Sequence, residues 1–295
     1  MPHLGVLRVQ GADAAAFLHG QLTQDFVLLG QDKARLAALC SPKGRVLASF
    51  IGFKRTPEDI LLLCSQDLLA TTMKRLSMFV LRARVKISDA SADFKVQGLA
   101  GALVHEWAPQ LQQPWDLVQT GGASVLALYP AQGVARALRV AGVEEAAVAA
   151  PAITLDQWLL AEVRSGVATV QAALSDTLLP QMLNYESVGG VSFKKGCYPG
   201  QEVVARSQFR GTLKRRLFLA RASGALAAGQ EIFSRADPEQ PVGQVVQLAP
   251  LGAGACEALV CLQVASAQDT TLHAAGAEGV ALTILELPYA LLQDI

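Results

Sequence analysis

The sequence predicts an α+β protein with two domains, on three observations. Its 295 residues correspond to about two domains of roughly 150 residues each. Within the first hundred residues, patterns follow the order strand, hairpin, helix, strand, which is half of a ferredoxin-like unit. After Arg221 the chain consists of short alternating segments separated by Gly, Pro and Asp, which is typical of a small β-barrel. We predict domains at 1–210 and 211–295, with a ferredoxin-like subdomain at about 45–100.

The composition excludes several classes of protein. Apolar residues make up 52% of the chain and charged residues 17%, which excludes a disordered chain or a coiled coil. No apolar run is long enough to span a bilayer, and the N-terminal residues lack a signal-peptide pattern. The five cysteines form no CxxC pair and the four histidines are dispersed. We therefore expect a cytoplasmic protein with no membrane partner and no metal site.

The first domain opens with a strand and a short helix. Leu4, Val6 and Val9 predict the strand, and Asp13 is a suitable N-cap for a helix Ala14–His19 that ends at Gly20. A second helix is expected from Ser65 to about Val80. Apolar runs predict further strands at 36–40, 46–53, 60–64 and 85–87.

The middle of the chain reads as a connection, a strand, two helices and an irregular segment. Residues 101–122 are rich in Gln, Pro and Gly and predict a connection. We expect a strand at 124–129 and a helix at Val134–Val140. An amphipathic helix follows Thr154 and ends at Gly166. We expect a long irregular segment at residues 168–209. The barrel strands are expected at 218–221, 242–248, 258–264 and 280–285.

Positive charge is concentrated at residues 190–221. This segment carries eight lysines and arginines but a single acid, Glu202, for a local charge of +7 in a chain whose formal charge is zero. The segment also contains several glycines, which allow the main chain to approach a ligand closely. An anionic partner explains this concentration, and a solvated hinge between the domains is the alternative.

Individual residues in these regions have two interpretations each. Cys197 is either a reactive thiol, with its pKa lowered by nearby cations, or a small buried side chain. Glu202 either pairs with Arg206 one helical turn later or accepts from ligand N–H groups. Trp158 is either core or a wall for a flat heteroaromatic ring. The segment Gly20–Asp25 by itself predicts only a cap or turn.

A longer motif resembles a known family. The run Phe193–Arg206, which contains Lys-Gly-Cys-Tyr-Pro-Gly-Gln-Glu, resembles the signature of the YgfZ family of folate-binding proteins. That family is related to the aminomethyltransferase, or T-protein, of the glycine cleavage system. Weaker matches are spread over the whole chain, at residues 20–25, 40–45, 179–184 and 287–289.

The resemblance implies a fold, a ligand and a role. The fold is a T-protein-like ring of three subdomains around a central folate cavity, with a C-terminal barrel. The ligand is tetrahydrofolate, and the role is to support iron–sulfur enzymes, including tRNA-modifying ones, as client proteins. Cys197 and Lys195 are then the catalytic candidates. The folate-binding candidates are Trp158, Gln21, Thr23, Gly196, Tyr198, Gln201, Glu202 and Arg206.

We expect the pterin between Trp158 and the loop 189–202, with its glutamate tail near the basic residues. Trp107 and Trp115 are not expected to contribute.

Two positions depart from the family pattern and predict an altered pterin site. Leu4 stands where some members carry a second tryptophan, and Arg164 stands where a carboxylate would precede Gly166.

Two other functions are weighed. A T-protein needs a carboxylate beside the folate nitrogen, and T-proteins carry an Asp-Asp pair shortly after the Gly44 turn. The corresponding residues here, Val46–Ser49, include no acid. We therefore expect no glycine-cleavage activity, while a related one-carbon transfer stays open. A nucleic-acid-binding module at Arg210–Arg221 is disfavoured because the segment has few aromatic residues and no recognition motif, so no stable nucleic-acid partner is expected.

Overall fold

The computed structural model describes residues 1–274 and 279–292, and its first layer is a five-stranded antiparallel sheet. The strand order is β2-β3-β4-β1-β5. The hairpin of β3 and β4, the following helix and β5 reproduce the predicted order of elements. The strands are β1 (Leu4–Gln10), β2 (Ala34–Cys40), β3 (Val46–Thr56), β4 (Asp59–Ser65) and β5 (Lys86–Asp89).

Two helices accompany this sheet. Helix α1 covers Ala14–Gln21 and α2 covers Leu69–Ser77, with a 3₁₀ turn at Gln66–Leu68 before α2. Asp13 precedes α1 but does not cap it with its side chain. Its carboxylate instead accepts from the backbone N–H of Arg84 at 2.8 Å. Asp13 therefore ties the start of α1 to the segment before β5.

A second sheet of four strands lies beside the first, in the order β6-β9-β8-β7. Its strands are β6 (Phe94–Ala100), β7 (Leu117–Thr120), β8 (Ala123–Ala131) and β9 (Val134–Gly142), and a short helix α3 covers Ala102–Trp107. The segment predicted as a connection at 101–122 thus contains α3 and β7. Lys33 forms an isolated bridge with Asp116, which joins the region before β2 to the region before β7.

The helix predicted at Val134–Val140 is wrong, because this segment is strand β9. It pairs with β8 on one side and β6 on the other. Gln132 and Gly133 both have positive φ, 50° and 79°, as a tight two-residue hairpin turn requires. The hairpin and burial between two strands determine the conformation of this segment.

The central segment forms two helices around an irregular stretch. Helix α4 covers Leu155–Arg164 and begins after Thr154, as expected, with a capping box in which Thr154 and Gln157 exchange side-chain and backbone hydrogen bonds. Helix α5 covers Gln201–Phe209 and was not predicted, since 168–209 was expected to be irregular throughout. Its N-cap is Gly200, with φ 80° and no side-chain cap.

The C-terminal region is the predicted barrel. Six strands close in the order β10-β13-β12-β11-β14-β15. They are β10 (Arg215–Ala222), β11 (Glu231–Ser234), β12 (Asp237–Gly252), β13 (Ala255–Gln263), β14 (Leu272–Ala274) and β15 (Val280–Leu285). The division at residue 210 and the limits of the ferredoxin-like subdomain stay predictions.

One apolar core joins these parts. Buried side chains of the first sheet, of residues 168–191 and of the barrel form one continuous cluster, represented by Leu36, Leu183 and Leu259. The stretch that precedes the family motif therefore packs against both the first sheet and the barrel. Among the residues that the structure describes, no helix is both long and apolar enough to cross a membrane.

Candidate functional site

A central cavity lies where the first sheet, the second sheet and α4 meet. The space between protein atoms here, including the part that is open to solvent, is about 550 Å³. The lining includes the side chains of Leu4, Trp115, Tyr129, Arg136 and Glu162. They come from β1, the segment before β7, β8, β9 and α4 in turn. The cavity is therefore lined by residues from distant parts of the chain.

One wall of the cavity is aromatic. The ring centroids of Trp115 and Tyr129 are 5.8 Å apart, and Tyr289 meets Tyr129 edge-on at 5.7 Å. Trp115 has φ 73° and its indole N–H donates to the carbonyl of Val188 at 3.0 Å. Trp115, which was not expected to contribute to the site, is one of the residues that line the cavity.

Another part of the lining carries a buried cation. The side chain of Arg136 is 3% exposed, and its Nε and Nη2 have no hydrogen-bond partner in the described chain. Its Nη1 makes a long contact, 3.4 Å, with the carbonyl of Tyr129. Burial lowers the pKa of Arg136 to about 10, with Glu162 opposing the shift, so the group stays charged near neutral pH.

Glu162 supplies a carboxylate to the same wall. Its Oε1 accepts from the indole N–H of Trp158 at 2.8 Å and from His3 Nε2 at 3.1 Å. Its Oε2 has a single long contact, 3.4 Å, with Gln247. One oxygen is therefore held by protein donors, while the other retains capacity to accept a hydrogen bond from a ligand.

Trp158 supports this charged wall from behind. It is 1% exposed and packs against Gly98, where an added Cβ would lie 2.4 Å from the indole ring. The guanidinium of Arg136 lies 4.6 Å from the centre of the Trp158 ring, within cation–π range. Trp158 thus contacts Arg136 and Glu162, which line the cavity, without lining it itself.

The two departures from the family pattern have separate structural consequences. Leu4 lies in the cavity wall as an aliphatic side chain. Arg164 points away to the barrel, where Nε and Nη2 bind both oxygens of Glu257 at 2.6 and 3.1 Å. The cavity still has a carboxylate, because Glu162 stands two residues earlier. The sequence contains a signal for this carboxylate, because Trp158 and Glu162 are four residues apart and therefore lie on one face of α4.

The family motif forms a separate exposed loop, which we call the thiol loop (residues 194–200). Gly200 has φ 80°, and a Cβ there would lie 2.4 Å from the carbonyl oxygen of Ser41. A Cβ on Gly44 would likewise meet Val203 at 2.9 Å. The turn 41–44 and the start of α5 are therefore in direct backbone contact, which brings two of the family-like segments together.

Cys197 is exposed on this loop, whereas the other four cysteines are buried. Burial raises the pKa of the Cys40, Cys64 and Cys261 thiols to about 12. Because the thiolate is the nucleophile, these buried cysteines are poorly reactive. Of the two interpretations of Cys197, the structure excludes the small buried side chain.

Lys195 is buried beside this thiol. Its ammonium donates to the carbonyls of Leu22 and Gly196 at 3.0 and 3.1 Å and lies 4.5 Å from the Tyr198 ring centre. Burial lowers the pKa of Lys195 to about 8, while Asp25 and Cys197 oppose the shift. The ammonium is thus fixed against the backbone next to Cys197.

The segment Gln21–Asp25 holds the loop region together. Thr23 is fully buried, donates to the carbonyl of Gly190 at 2.7 Å and accepts from the N–H of Ala38 at 2.8 Å. The side chain of Gln24 donates to the carbonyl of Gly189 at 2.7 Å. Gln21 is half-buried, and its Oε1 has no partner in the described residues.

The remaining folate-binding candidates lie on the thiol loop and on α5. Glu202 pairs with Arg206 at 2.8 Å, and both side chains are strongly exposed, 85% and 68%. This is the internal pair that the spacing favoured. The described lining of the central cavity includes none of the predicted residues Gln21, Thr23, Gly196, Tyr198, Gln201, Glu202 and Arg206.

Part of the basic segment is also neutralised by acids outside it. Arg216 binds the fully buried carboxylate of Glu186 at 2.6 Å, and Arg221 binds Glu257 at 2.8 Å. The local charge of residues 190–221 does not include Glu186 and Glu257, because both acids lie elsewhere in the sequence. The positive charge available to an anionic partner is therefore smaller than the sequence indicated.

The comparisons with known proteins agree with this architecture. No protein-family model matches the chain. It is 29% identical to proteins named tRNA-modifying protein YgfZ from Yersinia enterocolitica, over 306 residues, and Yersinia pestis, over 307 residues. Each alignment covers 98% of this chain and 91% of the relative. These relatives confirm the resemblance found in the sequence.

A solved structure has the same fold. The glycine cleavage system aminomethyltransferase T from Bartonella henselae superposes with a TM-score of 0.66, over 98% of this chain and 84% of that protein. The two sequences are 14% identical, so this likeness concerns the fold alone. It confirms the T-protein-like architecture with its C-terminal barrel.

Proposed function

We propose that this homologue of the YgfZ proteins binds tetrahydrofolate in its central cavity and supports iron–sulfur enzymes, including those that modify tRNA. The observation that carries the folate proposal is that Arg136 and Glu162 lie together in the cavity lining. Both side chains are largely buried, Nε and Nη2 of Arg136 have no partner in the described residues, and Oε2 of Glu162 has a long contact, 3.4 Å, with Gln247. A buried charge with unused hydrogen-bonding capacity is costly unless a ligand satisfies it.

The chemistry of a pterin matches this wall. One edge of the ring carries N–H donors next to a carbonyl acceptor. The free oxygen of Glu162 can accept from the donors, and the unpartnered N–H groups of Arg136 can donate to the carbonyl. Trp115 and Tyr129 provide the aromatic surface that a flat ring favours. When bound, tetrahydrofolate would supply one-carbon chemistry.

This proposal revises which residues touch the ligand. We assign Trp158 to positioning Glu162 and Arg136, because its indole contacts both. We assign Thr23, Tyr198 and the Glu202–Arg206 pair to the architecture of the thiol loop. Lys194, Arg210 and Lys214 have no carboxylate partner in the described residues, and they are the proposed cations for the anionic glutamate tail.

Calorimetric titration with tetrahydrofolate tests the site. Arg136→Met should weaken binding by roughly tenfold or more, as expected for the loss of a charge-assisted hydrogen bond. Arg139→Met is the matched control: Arg139 is equally buried on the same strand, but it binds Gln97 and lies outside the cavity lining. Unchanged affinity in a folded Arg136→Met variant would show that the ligand lies elsewhere.

A modified ligand sharpens this test. A 4-aminopteridine folate analogue replaces the carbonyl acceptor with a donor. It should bind wild type more weakly than the parent folate, and that difference should shrink in Arg136→Met. Equal affinities of wild type for both ligands would contradict contact between Arg136 and the carbonyl.

The cellular role is proposed to depend on Cys197, the exposed thiol. Cys197→Ala should bind tetrahydrofolate normally, because the residue lies outside the cavity lining. It should nevertheless fail to restore iron–sulfur enzyme activity in cells that lack the endogenous homologue. Full restoration by this variant would remove the thiol from the mechanism without affecting the folate proposal.

A further inference from the structure

A histidine and an aspartate lie beside the thiol loop. His19, in the last turn of α1, has its Nδ1 3.0 Å from Oδ1 of Asp25. The same carboxylate oxygen accepts from the N–H of Leu28 at 2.9 Å, which fixes Asp25 in turn. Both side chains are about four-fifths buried. The imidazole is therefore held in one orientation, with Nδ1 occupied by the carboxylate.

The other ring nitrogen faces the thiol loop. A Cβ built on Gly196 would lie 3.4 Å from Nε2 of His19. Glycine at this position thus leaves the imidazole close to the backbone immediately before Cys197. His19 lies outside the family-like motifs and was not among the predicted site residues. Its place beside the thiol loop follows from the fold.

Charges around the pair favour proton transfer from a thiol. Lys195 lies on the same loop, bonded through its ammonium to the carbonyl of Gly196. The charge of Asp25 opposes the lowering by burial of the pKa of Lys195 and of Lys54. A thiolate on Cys197 would therefore form beside an ammonium and an imidazolium, and the imidazolium would be balanced by Asp25.

We propose that His19, positioned by Asp25, accepts the proton of the Cys197 thiol. In this step the S–H bond breaks, the proton moves to Nε2, and the bonding electron pair stays on sulfur as a thiolate. His19 is thus the proton acceptor for the thiol, and Asp25 is the residue that positions it. The inference deepens the proposed role of Cys197, but its test needs neither folate nor a client protein.

The test is the pH dependence of Cys197 alkylation. Intact protein is treated with iodoacetamide between about pH 5 and pH 10, and the modified residue is assigned by peptide mass spectrometry. Wild type should show a midpoint below the ordinary thiol value of about 8.5. His19→Gln should raise that midpoint and slow alkylation at neutral pH by roughly tenfold, the change that one pH unit in midpoint produces.

Two further variants separate this role from a structural one. Asp25→Asn should shift the midpoint in the same direction by a smaller amount, since the imidazole remains but loses its carboxylate. His105→Gln, which changes an exposed histidine on α3, should leave the profile unchanged. Far-UV circular dichroism and thermal unfolding establish that each variant is folded.

The outcomes are distinct. A wild-type midpoint at the ordinary thiol value would overturn the inference whether or not any variant folds. An identical profile in folded His19→Gln would overturn it as well. Failure of tetrahydrofolate to bind would contradict the proposed folate function and leave this inference intact.

Discussion

Helix α4 lines the central cavity through Glu162 and helix α5 directly follows the thiol loop, and the two helices are fixed in different ways. Helix α4 begins with a capping box, and its last residue, Arg164, binds the buried carboxylate of Glu257 in the barrel. Helix α5 begins at Gly200 without a side-chain cap, and its ion pair Glu202–Arg206 is exposed to solvent. Side-chain contacts at both ends hold α4, whereas at the start of α5 the backbone of Gly200 meets Ser41 and the buried amide of Gln181 donates to the carbonyl of Val204.

This difference matches the two kinds of chemistry. A cavity wall that presents a buried cation and carboxylate needs neighbouring side chains to keep both in place without ligand. A loop that presents a thiol to a partner protein needs exposed side chains. Its position must then come from the main chain, through glycines that approach another segment closely. The following predictions test whether the two helices differ in this way.

The largest effect is expected for Gly200→Ala. The new Cβ would lie 2.4 Å from the carbonyl oxygen of Ser41, at a residue with φ 80°. Backbone atoms cannot yield as a flexible side chain can. We expect a loss of about 3 kcal/mol or more in the free energy of unfolding, measured by urea denaturation.

Gly254→Ala provides a matched control for the backbone conformation. Gly254 has the same φ, 80°, but no atom lies within 4 Å of an added Cβ. It should therefore lose only about 1 kcal/mol, the cost of a left-handed alanine. Equal losses in the two variants would show that close contact with Ser41 contributes nothing.

The sequence predicted the fold well where local pattern and tertiary structure agree. Thr154 was expected to start α4, and its capping box is present. The barrel followed from short alternating segments, and it closes with six strands. The helix expected at Val134–Val140 was wrong because the local sequence carries no information about the strands on either side.

The cavity was harder to predict, because its side chains come from distant parts of the chain. Trp115 and Arg136 belong to no family-like motif, and only the meeting of the two sheets brings them to α4. Trp158 was identified from the resemblance, yet its contacts are with Arg136 and Glu162. The carboxylate expected near position 164 is supplied two residues earlier, which a motif aligned position by position does not show.

An intermediate effect is expected for Glu257→Gln on the α4 side. This carboxylate is 1% exposed and accepts from Arg164 and Arg221, but Arg221 is itself half exposed. Removing the charge should cost about 2 kcal/mol, less than for a fully buried pair because solvent screens Arg221. Chemical denaturation at neutral pH measures the loss.

The pH dependence identifies the charge as the cause. Burial opposes ionisation of Glu257, but the hydrogen bonds from Arg164 and Arg221 outweigh it and lower the pKa. A lowered pKa in the folded state contributes stability above the ordinary value of about 4.3, which is lost as the pH falls through the folded value. Wild type and Glu257→Gln should therefore converge in stability as the pH falls below about 4. A constant difference down to that pH would assign the loss to packing.

The smallest effect is expected for Glu202→Gln on the α5 side. Its pair with Arg206 spans one helical turn, and water surrounds both side chains. Such pairs contribute about 0.3–0.5 kcal/mol, which salt screens further. We expect a loss below about 0.5 kcal/mol, no change in tetrahydrofolate affinity, and a smaller difference from wild type at high salt. A loss as large as that of Glu257→Gln would mean that side-chain charges hold α5 as they hold α4, and the contrast between the two helices would fail.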